Sequence, residues 1–554
     1  MRNTSAFIQE RGLAMVVVAL ALVGSACGTA KERIEVEPSS GSSDTRPIEQ
    51  STSTEAGSNP AISQTAGGSF LEQPANPLPV AFESEASASV SSEINEAGGT
   101  LTTTDSAGVT YTLAIPAGAL TSPEMITMTP VLLTESPFPG ARAHAVSLEP
   151  DGLILLESAD LTIEGADLAP ATSLLFTSNH DGSDLAPKPG VIDGAAVVPV
   201  AHFSLSGSVV ARETEIAKIR ATYRPSSREG RYTQEYETIF NRVEDPAAAE
   251  AALAQIMVEW FSSIEHDAGQ IADEAAMYDL LGEFMSAHGI LGSLFKHYGL
   301  GTESPLILAE IAMQGAAAAL QDAAFRLFDQ ENLRCIQDQD PEAMFSMLRW
   351  ALLYDWLAQN ITGDGSSLEY MNTALRACTQ FRVDFESAIS AEWAAQMNAE
   401  VPLQVPEGKA AIFLLKGIFE IPAVEGTLTG AGSLGSLTCG SVSPIDVAML
   451  LTYNANFGNL ANTTVNRVGV SIRFTEDPNW FCDEHALKQA PWLPWFAEGF
   501  AAYRTEAGFY LFKLEKTSGG EIYAELTDAR KVKASEVTIP VTLDVELHHT
   551  PQIP

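Results

Sequence analysis

The sequence predicts a multidomain α+β protein with an N-terminal β-sandwich, a central helical bundle and a C-terminal β-sandwich-like domain. The chain has 554 residues, of which 45% are hydrophobic, and this length exceeds what one hydrophobic core supports. Apolar residues recur at every second position between about residues 98 and 210 and after about residue 380, and with the helical period of 3.6 between these two regions. We therefore divide the chain into a signal peptide (1–26), a disordered tether (27–97), a β-sandwich (98–210), a helical bundle (211–378) and a C-terminal β domain (379–554).

The N-terminus carries the pattern of an export signal. Arg2 and Arg11 precede an apolar run at residues 13–23, which is too short to span a bilayer, and small residues 24–26 precede Cys27. This arrangement resembles bacterial lipoprotein precursors, which implies lipidation of Cys27 and a mature chain that begins there. The resemblance implies an exported protein anchored to the membrane, at the outer membrane in a Gram-negative host and otherwise at the cell surface. The alternative is an ordinary secretory signal with a chance cysteine.

The composition after Cys27 predicts a flexible spacer and restricts the class of partner. Residues 28–97 are rich in Ser, Thr, Glu, Pro and Ala and show no sustained hydrophobic period, as expected for a disordered tether. The formal net charge is -40, and a body this acidic repels phosphates. The sequence therefore excludes nucleic acid as a natural partner.

Four cysteines besides Cys27 predict disulfides. Cys335, Cys378, Cys439 and Cys482 form an even number in an exported chain, which is typical of disulfide pairing. Three pairings are possible. We favour Cys335 with Cys378 and Cys439 with Cys482, because each pair then stays within one predicted domain.

The histidines of the helical region do not predict a metal centre. His266, His288 and His297 are not spaced to place two imidazoles and a carboxylate on one helical face, and the chain has no HExxH or CxxC motif. We therefore expect neither a metal nor a cofactor.

Residues 98–210 read as short strands separated by turns. Val109, Tyr111, Leu113 and Ile115 alternate with polar residues after a turn at residues 105–108, which places one face of a strand inward. Further strands are expected at residues 125–132, 145–148, 159–163 and 196–210. Regularly spaced short strands predict an antiparallel sandwich.

Four ordered motifs of this region carry a family resemblance. They are Gly98-Gly99-Thr100, the run LAIPAGAL at 113–120, Pro150-Asp151-Gly152 and His202-Phe203-Ser204. Together they resemble the bacterial form of the ZU-five domain, a β-sandwich found in tight-junction scaffolds, netrin receptors and ankyrins. The resemblance covers about a fifth of the chain and implies binding or display rather than small-molecule chemistry.

The last of these motifs raises one further possibility. In some animal relatives the Phe-Ser bond cleaves itself, with the serine hydroxyl attacking its own preceding carbonyl and the histidine assisting proton transfer. The resemblance thus marks His202, Phe203 and Ser204 as residues of a self-cleavage site. We expect the bond to stay intact here, with His202 capping a strand and Phe203 packing in the core.

No catalytic signature accompanies these modules. The sequence lacks a GxSxG elbow, a Walker loop, a GxGxxG turn after a strand and an EF-hand loop. It therefore favours a lipid-anchored binding or scaffold protein with a protein or glycan partner. The alternative is an exported hydrolase of cell-envelope polymers, with its site between the helical bundle and the C-terminal β domain.

Overall fold

The computed structural model describes most of the chain from residue 73 to residue 402 and separate segments beyond it. The described residues are 73–135, 142–243, 245–299, 304–390, 393–402, 419–420, 424–426, 440–441, 443–452, 456–458, 467–474, 480–481, 510–512, 515–516, 522–534 and 537–551.

Twelve strands precede the first described α-helix, and a short 3-10 helix (Ala86–Ala88) lies between the first two of them. They are β1 (Ala81–Ser84), β2 (Val90–Ile94), β3 (Gly99–Thr104), β4 (Thr110–Ile115), β5 (Glu124–Glu135), β6 (Arg142–Glu149), β7 (Ile154–Glu164), β8 (Ser173–Ser178), β9 (Ala186–Pro187), β10 (Val191–Asp193), β11 (Ala195–His202) and β12 (Leu205–Val210). They form two antiparallel sheets, one ordered β1-β5-β6-β12-β8-β9 with β2 added to β5, the other ordered β10-β11-β7-β4-β3.

The two sheets enclose a common core. Tyr111 and Leu113 of the five-stranded sheet and Ile126 and Val146 of the seven-stranded sheet belong to one cluster of buried side chains. The inward alternation predicted for β4 is thus present. We refer to β1–β12 as the two-sheet module.

The chain changes sheets at Phe203. The period of two predicts one strand over residues 196–210, whereas the structure has β11 in the five-stranded sheet and β12 in the seven-stranded sheet. Phe203 lies between them and is 1% exposed. The sequence does not reveal this crossing, because neither Gly nor Pro marks the corner.

The two-sheet module begins earlier than its composition suggests. β1 and β2 lie within residues 73–97, which the sequence analysis assigns to the tether. Both pair antiparallel with β5, and Ile94 enters the core between the sheets. Pairing with β5 orders this Ser-rich stretch, which carries few apolar residues of its own.

Seven α-helices follow in the described chain. They are α1 (Glu213–Thr222), α2 (Arg228–Arg242), α3 (Pro246–Ala268), α4 (Glu274–Tyr298), α5 (Leu306–Asp338), α6 (Pro341–Leu357) and α7 (Leu368–Cys378), and a π turn (Ala358–Thr362) follows α6. The structure is therefore mixed α/β, with two antiparallel sheets followed by helices.

The helix starts follow from local chemistry. Asp245 accepts a hydrogen bond from the amide of Ala247, and Pro246 occupies the first helical position, where its missing N–H costs nothing. Asp340 and Pro341 repeat this arrangement at α6. α5 ends at Asp338, and the next residue, Gln339, has a left-handed φ of 51°.

The described cysteine pair lies at the C-terminal ends of two helices. The Sγ atoms of Cys335 in α5 and Cys378 in α7 are 1.95 Å apart, with 5.9 Å between the Cα atoms. His549 Nε2 donates to the carbonyl oxygen of Cys378 over 2.6 Å, which joins the last strand to the end of α7. This is one of the two pairings that we favour from the sequence.

The described C-terminal residues are mainly strands. Their bounds are β13 (Gln380–Ser390), β14 (Trp393–Pro402), β15 (Phe419–Glu420), β16 (Val424–Gly426), β17 (Gly440–Ser441), β18 (Ser443–Thr452), β19 (Arg467–Phe474), β20 (Trp480–Phe481), β21 (Tyr510–Phe512), β22 (Glu515–Lys516), β23 (Ile522–Ala534) and β24 (Val537–His549). They pair antiparallel in the orders β14-β13-β24-β23-β22 and β15-β18-β19-β21, with β16 also on β18 and with β17 on β20.

Two of the expected features fall outside the described residues. Cys439 and Cys482 are not described, although Gly440, which follows the first, pairs with Phe481, which precedes the second. Cys27 and the signal segment are also outside. No helix in the described part of the chain combines the length and the apolar content that a membrane crossing requires.

Candidate functional site

The junction is the place where the ends of β7 and β11 meet the helices. Ile154 and Leu156 at the start of β7 point away from the core between the sheets and join the buried cluster of the helical region. A Cβ at Gly289 of α4 would lie 2.5 Å from Oγ of Ser158, so glycine lets this helix approach the strand closely. Gly282, two turns earlier, lies on the same face of α4 and within van der Waals reach of Ile154.

A short segment from the C-terminal region also enters the junction. Phe457 is 1% exposed and belongs to the same cluster, and its carbonyl oxygen accepts from the amide of Ile154 over 2.9 Å. Gly458 has a φ of +121°, and a Cβ there would lie 1.9 Å from the carbonyl oxygen of Gly152. Only glycine fits that backbone and that close approach.

Capping contacts fix the first turn of α2. The carboxylate of Asp184 accepts from the amides of Ser226 and Ser227, and the Ser227 hydroxyl accepts from the amide of Gly230. Asp and Ser at these positions satisfy amides that have no partner within the helix. The same turn carries Arg228 and Glu229, so both side chains start from a fixed backbone.

Glu229 pairs with two basic side chains of the two-sheet module. Lys188 Nζ lies 2.7 Å from Oε1, and His202 Nε2 lies 3.1 Å from Oε2. Burial alone would raise the pKa of Glu229, but Lys188 and His202 outweigh it and hold that pKa well below its usual range. The carboxylate is therefore ionised at neutral pH and compensates the charge of Lys188, which is 7% exposed.

Arg228 makes a second charged cluster beside the first. Its Nε and Nη2 atoms each lie 2.7 Å from one oxygen of Glu283 in α4, and it also pairs with Asp267. Trp260 Nε1 donates to Glu283 over 2.6 Å. Burial raises the pKa of Glu283, while Arg228 and the indole N–H favour its ionised form. A planar guanidinium suits such a two-point contact.

Two small cavities open beside these clusters. One has a volume of about 190 Å³ and the other about 340 Å³. Asp279 and Glu283 line both. The first cavity is also lined by Gly152, Ile154, His202, Glu229, Tyr278 and Gly282, and the second by Arg228, Asp267, Gln270, Ile271, Ala276 and Leu280.

The ion pairs of Glu229 suit a structural role, in which they hold α2 against the two-sheet module. Glu229 pairs with basic side chains of the two-sheet module, whereas Glu283 and Asp267 pair with Arg228 of another helix. Such engagement lowers the availability of these carboxylates as bases or nucleophiles. The exposed carboxylate of Asp279 lines the cavities without a hydrogen bond or ion pair to any other described residue. Within the described chain, the junction combines these ion pairs with two small cavities.

The structure separates the members of the proposed self-cleavage motif. His202 Nε2 faces Glu229, whereas the Ser204 hydroxyl lies 2.8 Å from Oγ1 of Thr177 in the other sheet. The Phe203 carbonyl accepts from the amide of Gly152 over 3.0 Å. No hydrogen bond joins His202 to Ser204 in the described structure. That this bond stays intact remains a prediction.

The helical histidines take part in packing contacts. His288 stacks with Phe284 at 6.1 Å between ring centroids, and burial lowers its pKa. His297 contacts Tyr298 edge to face at 4.6 Å. His266 belongs to the last turn of α3.

The contacts at the junction could not be predicted from the sequence. Lys188, His202, Glu229 and Glu283 come from four separate stretches of chain, so no local spacing connects them. One signal was present: Lys188 and Arg142 are the two basic residues between positions 98 and 210. A buried lysine needs a compensating acid, but its burial is not visible in the sequence.

A scan of the chain against models of protein families matches no family, and a comparison with curated proteins returns no match. The resemblance to the ZU-five domain stays a prediction that rests on its four motifs.

Proposed function

We propose that this chain is a lipid-anchored binding or scaffold protein, held to the membrane through Cys27 and acting through a body in which the two-sheet module and the helices form one unit. The observation that carries the proposal is the continuous core at the junction. Ile154 and Leu156 from β7, the helices and Phe457 share one cluster of buried side chains. A shared core of this kind resists hinge motion, which suits a protein that presents a surface rather than one that closes on a substrate.

The charges of the junction support the same function. Glu229 and Arg228 cross from α2 to other elements through ion pairs, and the pair of Glu229 with Lys188 is largely shielded from water. Removing one partner of such a pair leaves an uncompensated charge, so these contacts specify one arrangement of the layers. The proposal includes a C-terminal domain of the β-sandwich type, to which the antiparallel strands β13–β24 are suited.

Membrane fractionation tests the anchor. We expect the wild-type chain to sediment with membranes and the Cys27→Ala variant to be released, because two or three acyl chains supply the anchoring free energy. A Cys27→Ala chain that is processed and still sediments would overturn the lipid anchor. A matched Ser25→Ala variant controls for changes near the processing site.

Incubation with purified cell-envelope polymers distinguishes binding from hydrolysis. We expect the mature chain to co-sediment with insoluble envelope material, and no soluble fragments to appear over time. Release of soluble fragments that scales with protein concentration would favour the exported hydrolase instead. Absence of both binding to the polymer and cross-linking to envelope proteins would overturn the binding function.

A further inference from the structure

The outward face of the five-stranded sheet changes character along β7. At the start of the strand Ile154 and Leu156 are buried against the helices, and Ser158 lies under Gly289 of α4. Two residues further on, at Asp160, the same face becomes exposed and stays polar to the end of the strand. The helices therefore cover only half of this sheet face, and the other half is open.

The open half carries rows of threonine side chains. Thr102, Thr112 and Thr162 are directly opposite one another on β3, β4 and β7. The next row places Thr104 opposite Thr110. Within the rows, the hydroxyl oxygens of Thr102 and Thr112 lie 3.3 Å apart, and those of Thr104 and Thr110 lie 3.1 Å apart. Short hydroxyl side chains in register make a shallow surface with many hydrogen-bonding groups.

Two carboxylates flank Thr162 of the first row. Asp160 and Glu164 precede and follow Thr162 by two positions, so all three side chains leave the same face of β7, with about 13 Å between the two acids along the strand. Both are exposed, and neither forms an ion pair with any residue that the structure describes. The sequences of β3, β4, β7, β10 and β11 contain neither Lys nor Arg.

The surrounding module adds to this negative potential. Between positions 98 and 210 the sequence has twelve Asp and Glu residues against Arg142 and Lys188. Lys188 is already paired with Glu229 in the junction. Like charges across an interface disfavour association, so a second copy of this module is a poor occupant and a basic partner is a good one.

We propose that the open half of the five-stranded sheet is the docking surface for a basic, extended polypeptide segment. Its Lys or Arg side chains pair with Asp160 and Glu164, and its amides and hydroxyls contact the threonine rows between them. This inference rests on the proposed binding function and names the class of partner for it. Charge complementarity directs this choice of occupant.

A peptide titration tests the surface. The probe is a synthetic peptide of alternating Arg and Thr, with about eight residues so that it exceeds the 13 Å between the two acids, and a Glu-Thr peptide of equal length serves as its reference. The protein is the full mature chain. We expect binding of the Arg-Thr peptide that weakens with added salt, and no binding of the Glu-Thr peptide.

A pair of double variants separates this face from the charge of the whole protein. Asp160→Asn with Glu164→Gln should weaken binding of the Arg-Thr peptide roughly fivefold, as expected for the loss of two exposed ion pairs. Asp322→Asn with Glu369→Gln removes the same charge from exposed helical positions and should change binding less than about twofold. Equal loss in both double variants would overturn the proposal, because it would show diffuse attraction.

Two further outcomes keep this inference distinct from the proposed function. Thr162→Val keeps the shape of the side chain but removes its hydroxyl, and it should weaken binding of the peptide roughly twofold. A wild-type chain that retains envelope polymer but ignores the Arg-Thr peptide would overturn this docking surface and leave the binding function standing. Circular dichroism of each variant confirms that the fold is intact.

Discussion

The two halves of the outward face of β7 differ in the exposure and the pairing of the charged and apolar residues near them. In the covered half, Ile154 is buried, and the nearby acid Glu229 is paired with Lys188 and His202. In the open half, Asp160 and Glu164 are exposed and have no ion pair within the described structure. The same strand thus joins a region whose groups determine stability to one whose groups are free to contact a partner.

The largest expected effect is the loss of the buried carboxylate. Glu229→Gln should lower the free energy of unfolding by about 3 kcal/mol, because it leaves the charge of Lys188 buried without compensation. Glu164→Gln, the same change in the open half, should alter it by less than about 0.5 kcal/mol. Urea unfolding of both variants measures the difference. Equal effects of the two changes would contradict the division of the strand into two regions.

The pH dependence of the same variant sharpens the comparison. The pKa of Glu229 in the folded chain lies below its usual range, so its contribution to stability is present above the unfolded pKa of about 4.3 and declines as the pH falls below it. The advantage of the wild-type chain over Glu229→Gln should therefore shrink as the pH is lowered from 5 toward 3. Unfolding midpoints of both chains across that range measure it. An advantage that stays constant would contradict the assigned ion pair.

Two substitutions of apolar residues on the same sheet face test packing separately from charge. Ile154→Ala should cost about 3 kcal/mol, since Ile154 is 3% exposed and its loss leaves a cavity against α4. Val197→Ala on β11, next to Thr162 in the open half, should cost less than about 1 kcal/mol. The check is again the urea midpoint. A larger cost at Val197 would show that the open half is covered.

The sequence predicts elements better than the contacts between them. The alternation of Tyr111 and Leu113 and the helical period of the middle region are local patterns, and both appear in the structure. The crossing between sheets at Phe203 lacks a local marker, and the junction of Lys188 with Glu229 joins residues 41 positions apart. Such contacts depend on how layers pack, which periodicity alone does not encode.

The smallest expected effect concerns the bond between Phe203 and Ser204, which lies where the chain leaves the five-stranded sheet beside the junction. The motif suggests the possibility of self-cleavage at this bond. The imidazole of His202, however, contacts Glu229, and the Ser204 hydroxyl is hydrogen-bonded to Thr177. Attack on the Phe203 carbonyl requires a free hydroxyl and a base within reach of it. We therefore expect one species of full mature mass under denaturing conditions. Two fragments that disappear in Ser204→Ala would contradict this, and their loss in Glu229→Gln as well would show that the junction positions His202 for the reaction.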